Sequence, residues 1–161
     1  VCYMDADLST DLAFLNALVG AILEENYDVA IGSRLLPESR TRRSWSRQII
    51  SRIYNWTVKF ALHTQFSDAQ CGFKALSRSA AQHLVPKVQD QSWFFDTELL
   101  ALAEKQGLRI KDIPVIWIED DDSRVKILET AWDDLKGIWR VRWQLRRMGK
   151  GVAAATRESR S

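Results

Sequence analysis

Two carboxylates, Asp5 and Asp7, stand one residue apart directly after the apolar run Val1 to Met4. In extended backbone, residues i and i+2 share a face, so the pair can hold one hard divalent cation and, through it, a diphosphate. The carboxyl end of a strand is also where open α/β sheets bind ligands. Taken alone, the same pair reads more readily as an acidic turn capping the next helix, because Asp-x-Asp is a common pattern.

A second group collects cations. Arg34 leaves the apolar segment DVAIGS, and Arg47 and Ser51 stand four residues apart in a helical pattern, one above the other on the same face. Guanidinium groups converging with a hydroxyl form a phosphate clamp. Arg40, Arg42 and Arg43 read instead as a solvated loop. In SDAQCGFK, Gly72 points to close backbone approach to a ligand, with Asp68, Gln70 and Lys74 as polar neighbours. Asp96 and Glu98 stand where a helix begins, a place where acidic side chains ordinarily cap the helix and complement its dipole. Ser123, Arg124 and Lys126 follow an acidic turn and, by themselves, read as a helix start with solvated charges.

The elements that must position these residues alternate in type. The opening strand leads to a helix capped by Ser9 or Thr10, with Leu12, Leu15, Leu18, Val19, Ile22 and Leu23 at helical spacing. DVAIGS reads as a buried strand, residues 35–44 as a polar loop, and the next segment as a long amphipathic helix stopping near His63. On that helix Trp45, Ile49, Ile53, Trp56 and Phe60 share one side. CGFKAL predicts a strand, Ser77 to Pro86 a short helix, and DTELLALAEKQG a helix closed by Gly107. IKDIPVIWI predicts a strand bent or edged at Pro114, followed by a last helix carrying Leu128, Trp132, Leu135 and Trp139. This alternation predicts an α/β sheet covered by helices. A strand as apolar as the first is expected inside a parallel sheet, so the chain is expected to be the later part of a domain whose first strands lie upstream.

At 161 residues the chain fits one domain, and a net charge of +2 does not by itself imply a nucleic-acid partner. The charge is uneven: Arg140, Arg142, Arg146, Arg147, Lys150, Arg157 and Arg160 face only Glu158, making the C-terminus basic. Cys2 and Cys71 lack metal-ligand spacing and are expected to be buried, reduced thiols. No apolar run approaches the ~20 residues that span a bilayer. Trp56 and Trp132 are expected in the core. Trp45, Trp56 and Phe60 on the long helix, and Trp139 and Trp143 with the arginines around them at the distal end, have the aromatic and basic character of segments lying on an anionic membrane; of the two, only the distal end is expected to face it.

Taken in order, MDADLS, IGSR, WSRQIIS, DAQCGFK, FFDTELL and IPVIWIEDDDSRVKI resemble the family 2 glycosyltransferases that make polyprenyl-phosphate sugars. The nearest branch is that of the dolichyl-phosphate β-glucosyltransferases, with the dolichyl-phosphate mannose synthases close by. The resemblance runs to about Arg147. It implies the C-terminal portion of a GT-A fold, the Rossmann-like fold of nucleotide-sugar transferases, over 1–147. The strands that bind the nucleotide would lie upstream of Val1, and a basic disordered tail would cover 148–161.

The same resemblance implies that Asp5 and Asp7 bind Mg²⁺ or Mn²⁺, with Ser9 where the mannose-synthase branch often has a further ligand, Gln. Arg34, Arg47 and Ser51 would grip the acceptor phosphate. Gln70, Lys74, Glu98 and Arg124 would serve the donor and sugar, Arg124 from a loop closing over the diphosphate. Asp96 would stand at the floor as a catalytic residue beside Asp7. The implied reaction is inverting transfer of glucose or mannose from UDP-glucose or GDP-mannose to a polyprenyl or dolichyl phosphate. It would take place at the cytoplasmic membrane face, through peripheral contact and with no nucleic acid. The alternatives are the same chemistry on a polysaccharide or other lipid acceptor, and a non-catalytic binding module.

Overall fold

The structure is a computed structural model that describes residues 1–118 and 133–147. Strand β1 (Cys2–Met4) precedes helix α1 (Leu15–Leu23), β2 (Val29–Ser33), β3 (Arg40–Arg42) and α2 (Trp45–Leu62). Strand β4 (Phe73–Leu76), α3 (Arg78–Leu84), α4 (Phe95–Lys105), β5 (Ile110–Pro114) and β6 (Ile116–Ile118) follow. A further helix, α5, spans 133–147.

Among the described residues, four strands form a mixed sheet in the order β1-β4-β2-β5, and β3 pairs with β6 in a second, parallel sheet. β4 runs antiparallel to both β1 and β2, whereas β2 and β5 are parallel. Every residue of β2 and β4 is buried, consistent with strands covered on both faces. One face packs Leu18 and Ala21 of α1 on Ala30, Phe73 and Ile113. The other gathers Val29 and Ile31 with Val58 of α2, Leu99 and Leu102 of α4, and Ile138 and Val141 of α5. Helix α4 is the central one, buried continuously from Thr97 to Ala103. Helix α2 stops where His63 takes a left-handed conformation at φ 56°. Pro114 does bend the chain, moving it from β5 in the main sheet to β6 in the second.

Several expectations are corrected. β1 is antiparallel to its neighbour and lies at the edge of the sheet formed by the described residues, and Cys2 is exposed; only Cys71 is buried. Asp11, not Ser9 or Thr10, caps the short 3-10 turn Leu12–Phe14 that precedes α1, accepting from Ala13 N–H at 2.9 Å, and α1 itself has no side-chain cap. Residues 40–42 of the supposed loop form β3, because β6 offers a parallel partner. Trp56 is 67% exposed rather than in the core. Trp132 and the tail over 148–161 lie outside the described residues. No described helix is long and apolar enough to cross a membrane.

Candidate active site

The β1–β4 ladder sets the first part of the site. Its register pairs Met4 with Phe73, which brings Asp5 alongside Gly72. A Cβ on Gly72 would stand 1.9 Å from Asp5 Oδ1, so the carboxylate lies directly on the glycine. Close approach is thus the reason for this glycine, and the group that approaches is the chain's own Asp5. The turn that follows puts Leu8 at φ 53°, a left-handed conformation that costs about 1 kcal/mol. It is tied by Leu8 N–H to Asp5 O at 3.2 Å and by Ser9 N–H to Asp7 Oδ1 at 3.0 Å.

Partial burial raises the Asp5 carboxyl above its usual range, and the Asp7 charge adds to that; Lys74 and Arg34 act in the opposite direction. Two close carboxylates at a strand end, one of them resisting ionisation, are a donor set that a divalent cation would relieve. No group of three or more His, Cys, Asp or Glu that could hold a metal occurs among the described residues. Two carboxylates alone would leave most of a hard cation's coordination to waters and to the oxygens of a bound diphosphate, the kind of shell that Mg²⁺ takes. Ser9 is buried, and its backbone N–H supports Asp7.

Behind this pair, Lys74 and Asp96 form the floor. Lys74 is fully buried at the point where β4 faces Tyr3 of β1. Its Nζ donates to Ala69 O at 3.3 Å and to Cys71 O, and lies 3.0 Å from Asp96 Oδ2. Asp96, in the first turn of α4, also accepts from Tyr3 Oη at 2.6 Å. Burial, then the Asp96 charge, pushes the Tyr3 phenol far above its ordinary value, so Tyr3 remains a donor. The Lys74 ammonium therefore already meets three acceptors, Asp96 and the backbone carbonyls of Ala69 and Cys71.

The cationic side is built differently from the expected clamp. Arg34 forms a two-pronged pair with Asp68, Nε to Oδ2 at 2.7 Å and Nη2 to Oδ1 at 2.9 Å. Burial would raise the Asp68 carboxyl, but the charge and hydrogen bonds of Arg34 outweigh it and hold it below the usual range. Arg43 does not stay in solvent as Arg40 and Arg42 do. Its Nη2 donates to Arg47 O at 2.8 Å and to Ser51 Oγ at 3.2 Å. Arg34 and Arg43 lie 5.4 and 5.3 Å from the centroid of the buried Trp117 ring. The guanidinium placed on the buried Ser51 hydroxyl is therefore that of Arg43, while Arg47 is half-buried one turn away.

Gln70 is half-buried on the same loop, its N–H held by Asp68 Oδ1 at 3.1 Å. Glu98 is a correction. Its fully buried carboxylate accepts from Gln89 and Asp90 N–H at 3.1 and 3.0 Å and pairs with Arg140 at 2.6 Å, leaving it no sugar to contact. Arg140 accordingly anchors α5 to α4, its side chain remaining 36% exposed. Gly137 lets this contact close, since a Cβ there would meet the Phe94 ring at 2.6 Å. Arg124 lies outside the described residues. Sequence reasoning missed Tyr3, Arg43 and Trp117 as site residues; the register of β1 on β4 and of β3 on β6 brings them in.

Residues 1–85 match the family model described as Glycosyl transferase family 2. Over 143 residues the chain is 39% identical to the glycosyltransferase AglD of Haloferax volcanii, covering 89% of this chain and 23% of that protein. It is 30% identical over 150 residues to a dolichyl-phosphate beta-glucosyltransferase of Dictyostelium discoideum, covering 89% of this chain and 46% of the relative. For the dolichyl-phosphate beta-glucosyltransferase of Saccharomyces cerevisiae the figures are 33% over 111 residues, 67% and 32%. The chain thus spans less than half the length of each of these relatives. Its mixed α/β sheet is consistent with the GT-A fold.

Proposed function

Because the chain belongs to glycosyl transferase family 2, we propose that it carries the metal and acceptor side of a hexosyltransferase. The reaction would move glucose or mannose from UDP-glucose or GDP-mannose to a polyprenyl or dolichyl phosphate at the cytoplasmic face of a membrane. Residues 1–147 are then the C-terminal part of a GT-A domain. The observation that carries this reading is the convergence of Asp5 with Lys74 and Asp96 across the β1–β4 ladder, with the Arg34, Arg43 and Ser51 group close by. The names of the relatives, several of them dolichyl-phosphate beta-glucosyltransferases, support the lipid-phosphate acceptor.

Asp5 and Asp7 would hold Mg²⁺ or Mn²⁺, which when bound supplies charge stabilisation for the departing nucleoside diphosphate. The acceptor makes a strong general base unnecessary: a phosphate monoester carries about −1.5 to −2 charge near pH 7, so its oxygen attacks already ionised. What the chain must supply is position. Arg43 and Ser51, with Arg47 and the Trp117-stacked Arg34 beside them, would fix the acceptor phosphate. Asp96, held from two sides by Tyr3 and Lys74, would orient a sugar hydroxyl rather than remove a proton. One displacement at the anomeric carbon inverts it.

Competition between a polyprenyl phosphate and the matching polyprenol tests the acceptor. Transfer to the phosphate alone is expected, with Arg47→Ala raising the KM for it. Equal transfer to the alcohol, or activity that survives Arg47→Ala and disappears with Asp96→Asn, would replace this reading with a hydroxyl acceptor and an aspartate base.

A further inference from the structure

Strand β6 joins the two halves of the candidate site. On one side Trp117 pairs with Thr41 of β3, the strand that leads into Arg43; on the other it bridges to Thr10, just past the Asp5–Asp7 turn. Ile118 N–H donates to Ser9 O at 2.9 Å and Asp11 N–H donates to Ile116 O at 3.0 Å, so the strand is hydrogen-bonded to the end of that turn. Trp117 is thus fixed where the segment carrying the two aspartates meets the segment carrying Arg43. Its side chain is only 8% exposed, yet its neighbours are charged. The guanidiniums of Arg34 and Arg43 both lie on its ring, at 5.4 and 5.3 Å from the centroid, which places two cations against one π-system.

One polar atom of this arrangement is unsatisfied. Trp117 Nε1 is buried and has no hydrogen-bond partner among the described residues. Buried donors are almost always paired, and an indole N–H can only donate, so what is missing is an acceptor. The surroundings indicate its kind. Two guanidiniums drawn to one ring concentrate positive charge there, and the Asp68 carboxylate is already engaged by both prongs of Arg34. Arg43 in turn reaches the buried Ser51 hydroxyl. An indole N–H grouped with guanidiniums and a hydroxyl suits the oxygens of a phosphate, because hydrogen bonds to a charged acceptor are the stronger ones.

We propose that Trp117 is an acceptor-binding residue: its ring holds Arg34 and Arg43 at the site, and its Nε1–H donates to an oxygen of the acceptor phosphate. The assignment rests on the lipid-phosphate reading above. It adds a donor carried by the strand that is tied to the Asp5–Asp7 turn, so that one strand sets the acceptor relative to the metal.

The test reads the indole itself, in the ¹⁵N-labelled whole chain. Of the seven tryptophan indole N–H resonances, that of Trp117 is the one missing from Trp117→Phe. Titration with geranyl phosphate is expected to move it downfield, and geraniol to leave it in place. Trp117→Phe keeps a ring beside the guanidiniums and loses the N–H, so the KM for geranyl phosphate should rise about tenfold with kcat within about twofold of the parent. Trp117→Leu removes the ring as well and should raise KM by about fivefold more. Circular dichroism confirms the fold of each variant. An indole resonance that geranyl phosphate leaves in place at every concentration would overturn the proposal, as would a parental KM in Trp117→Phe. A resonance that moves with geranyl phosphate alone, in a chain that transfers no sugar, would leave the phosphate contact standing and count against the transferase reading.

Discussion

Lys74 Nζ lies 3.0 Å from Asp96 Oδ2, joining β4 to the first turn of α4 with the lysine side chain completely buried and the aspartate 19% exposed. Breaking such a pair from one side strands a charge. Lys74→Met, or Asp96→Asn, is expected to cost about 3–5 kcal/mol in urea denaturation at pH 7. Wild-type midpoints in both variants would show that the pair does not hold the floor together.

Gly72→Ala tests the seat of Asp5. The added Cβ overlaps the carboxylate, which is the end of a side chain and can swing away, so stability should change by no more than about 1 kcal/mol. Asp5 then leaves Asp7. Mn²⁺-dependent transfer is expected to drop at least about tenfold, the loss of roughly 1.4 kcal/mol of transition-state stabilisation. Unaltered metal dependence would separate Asp5 from the metal.

Arg34 and Arg43 touch the same indole but have different jobs. Arg34→Ala leaves Asp68 buried without its counter-ion, with an expected cost of about 3–5 kcal/mol, part of it recovered by adding Asp68→Asn, which removes the stranded charge and keeps an acceptor for the Arg34 and Gln70 N–H groups. Arg43→Ala, which loses hydrogen bonds to Arg47 O and Ser51 Oγ, should cost less than Arg34→Ala, about 1–2 kcal/mol in urea denaturation, and raise the KM for polyprenyl phosphate by about tenfold. A stability loss from Arg43→Ala as large as that from Arg34→Ala would erase the distinction.

The sequence carried the order of elements and the strand-end position of Asp5 and Asp7, because apolar runs, caps and a terminal glycine are local signals. It also singled out Lys74 and Asp96, which lie 3.0 Å apart, through their resemblance to family motifs. Pairings between distant segments were not legible. Nothing local says that β4 is antiparallel to β1, that Tyr3 therefore reaches Asp96, or that residues 40–42 find a partner in β6 and carry Arg43 inward to Ser51. Trp56 was misplaced for a related reason: periodicity identifies an apolar face without saying which way it turns, and here the polar face turns in.

Asp134 gives a pH dependence. Burial, then the charges of Asp90 and Asp133, pushes its carboxyl up to about 6. The unfolded chain releases this proton near pH ~3.9. The folded chain therefore binds more protons between about pH 4 and 6, and stability from this group is full below that window and lost as pH rises through it. Asp134→Asn should be about 1–2 kcal/mol more stable than the parent at pH 7.5 and no more stable at pH 4. An equal difference at both pH values would contradict this.

The most direct measurement is transfer of radiolabelled hexose from UDP-glucose or GDP-mannose to polyprenyl phosphate, with and without Mn²⁺. A lipid-linked sugar that forms only with the metal, and is lost in Asp5→Asn and Asp7→Asn, is the predicted result. Transfer that proceeds without the metal, or at the parent rate in both variants, would contradict the assignment of the site.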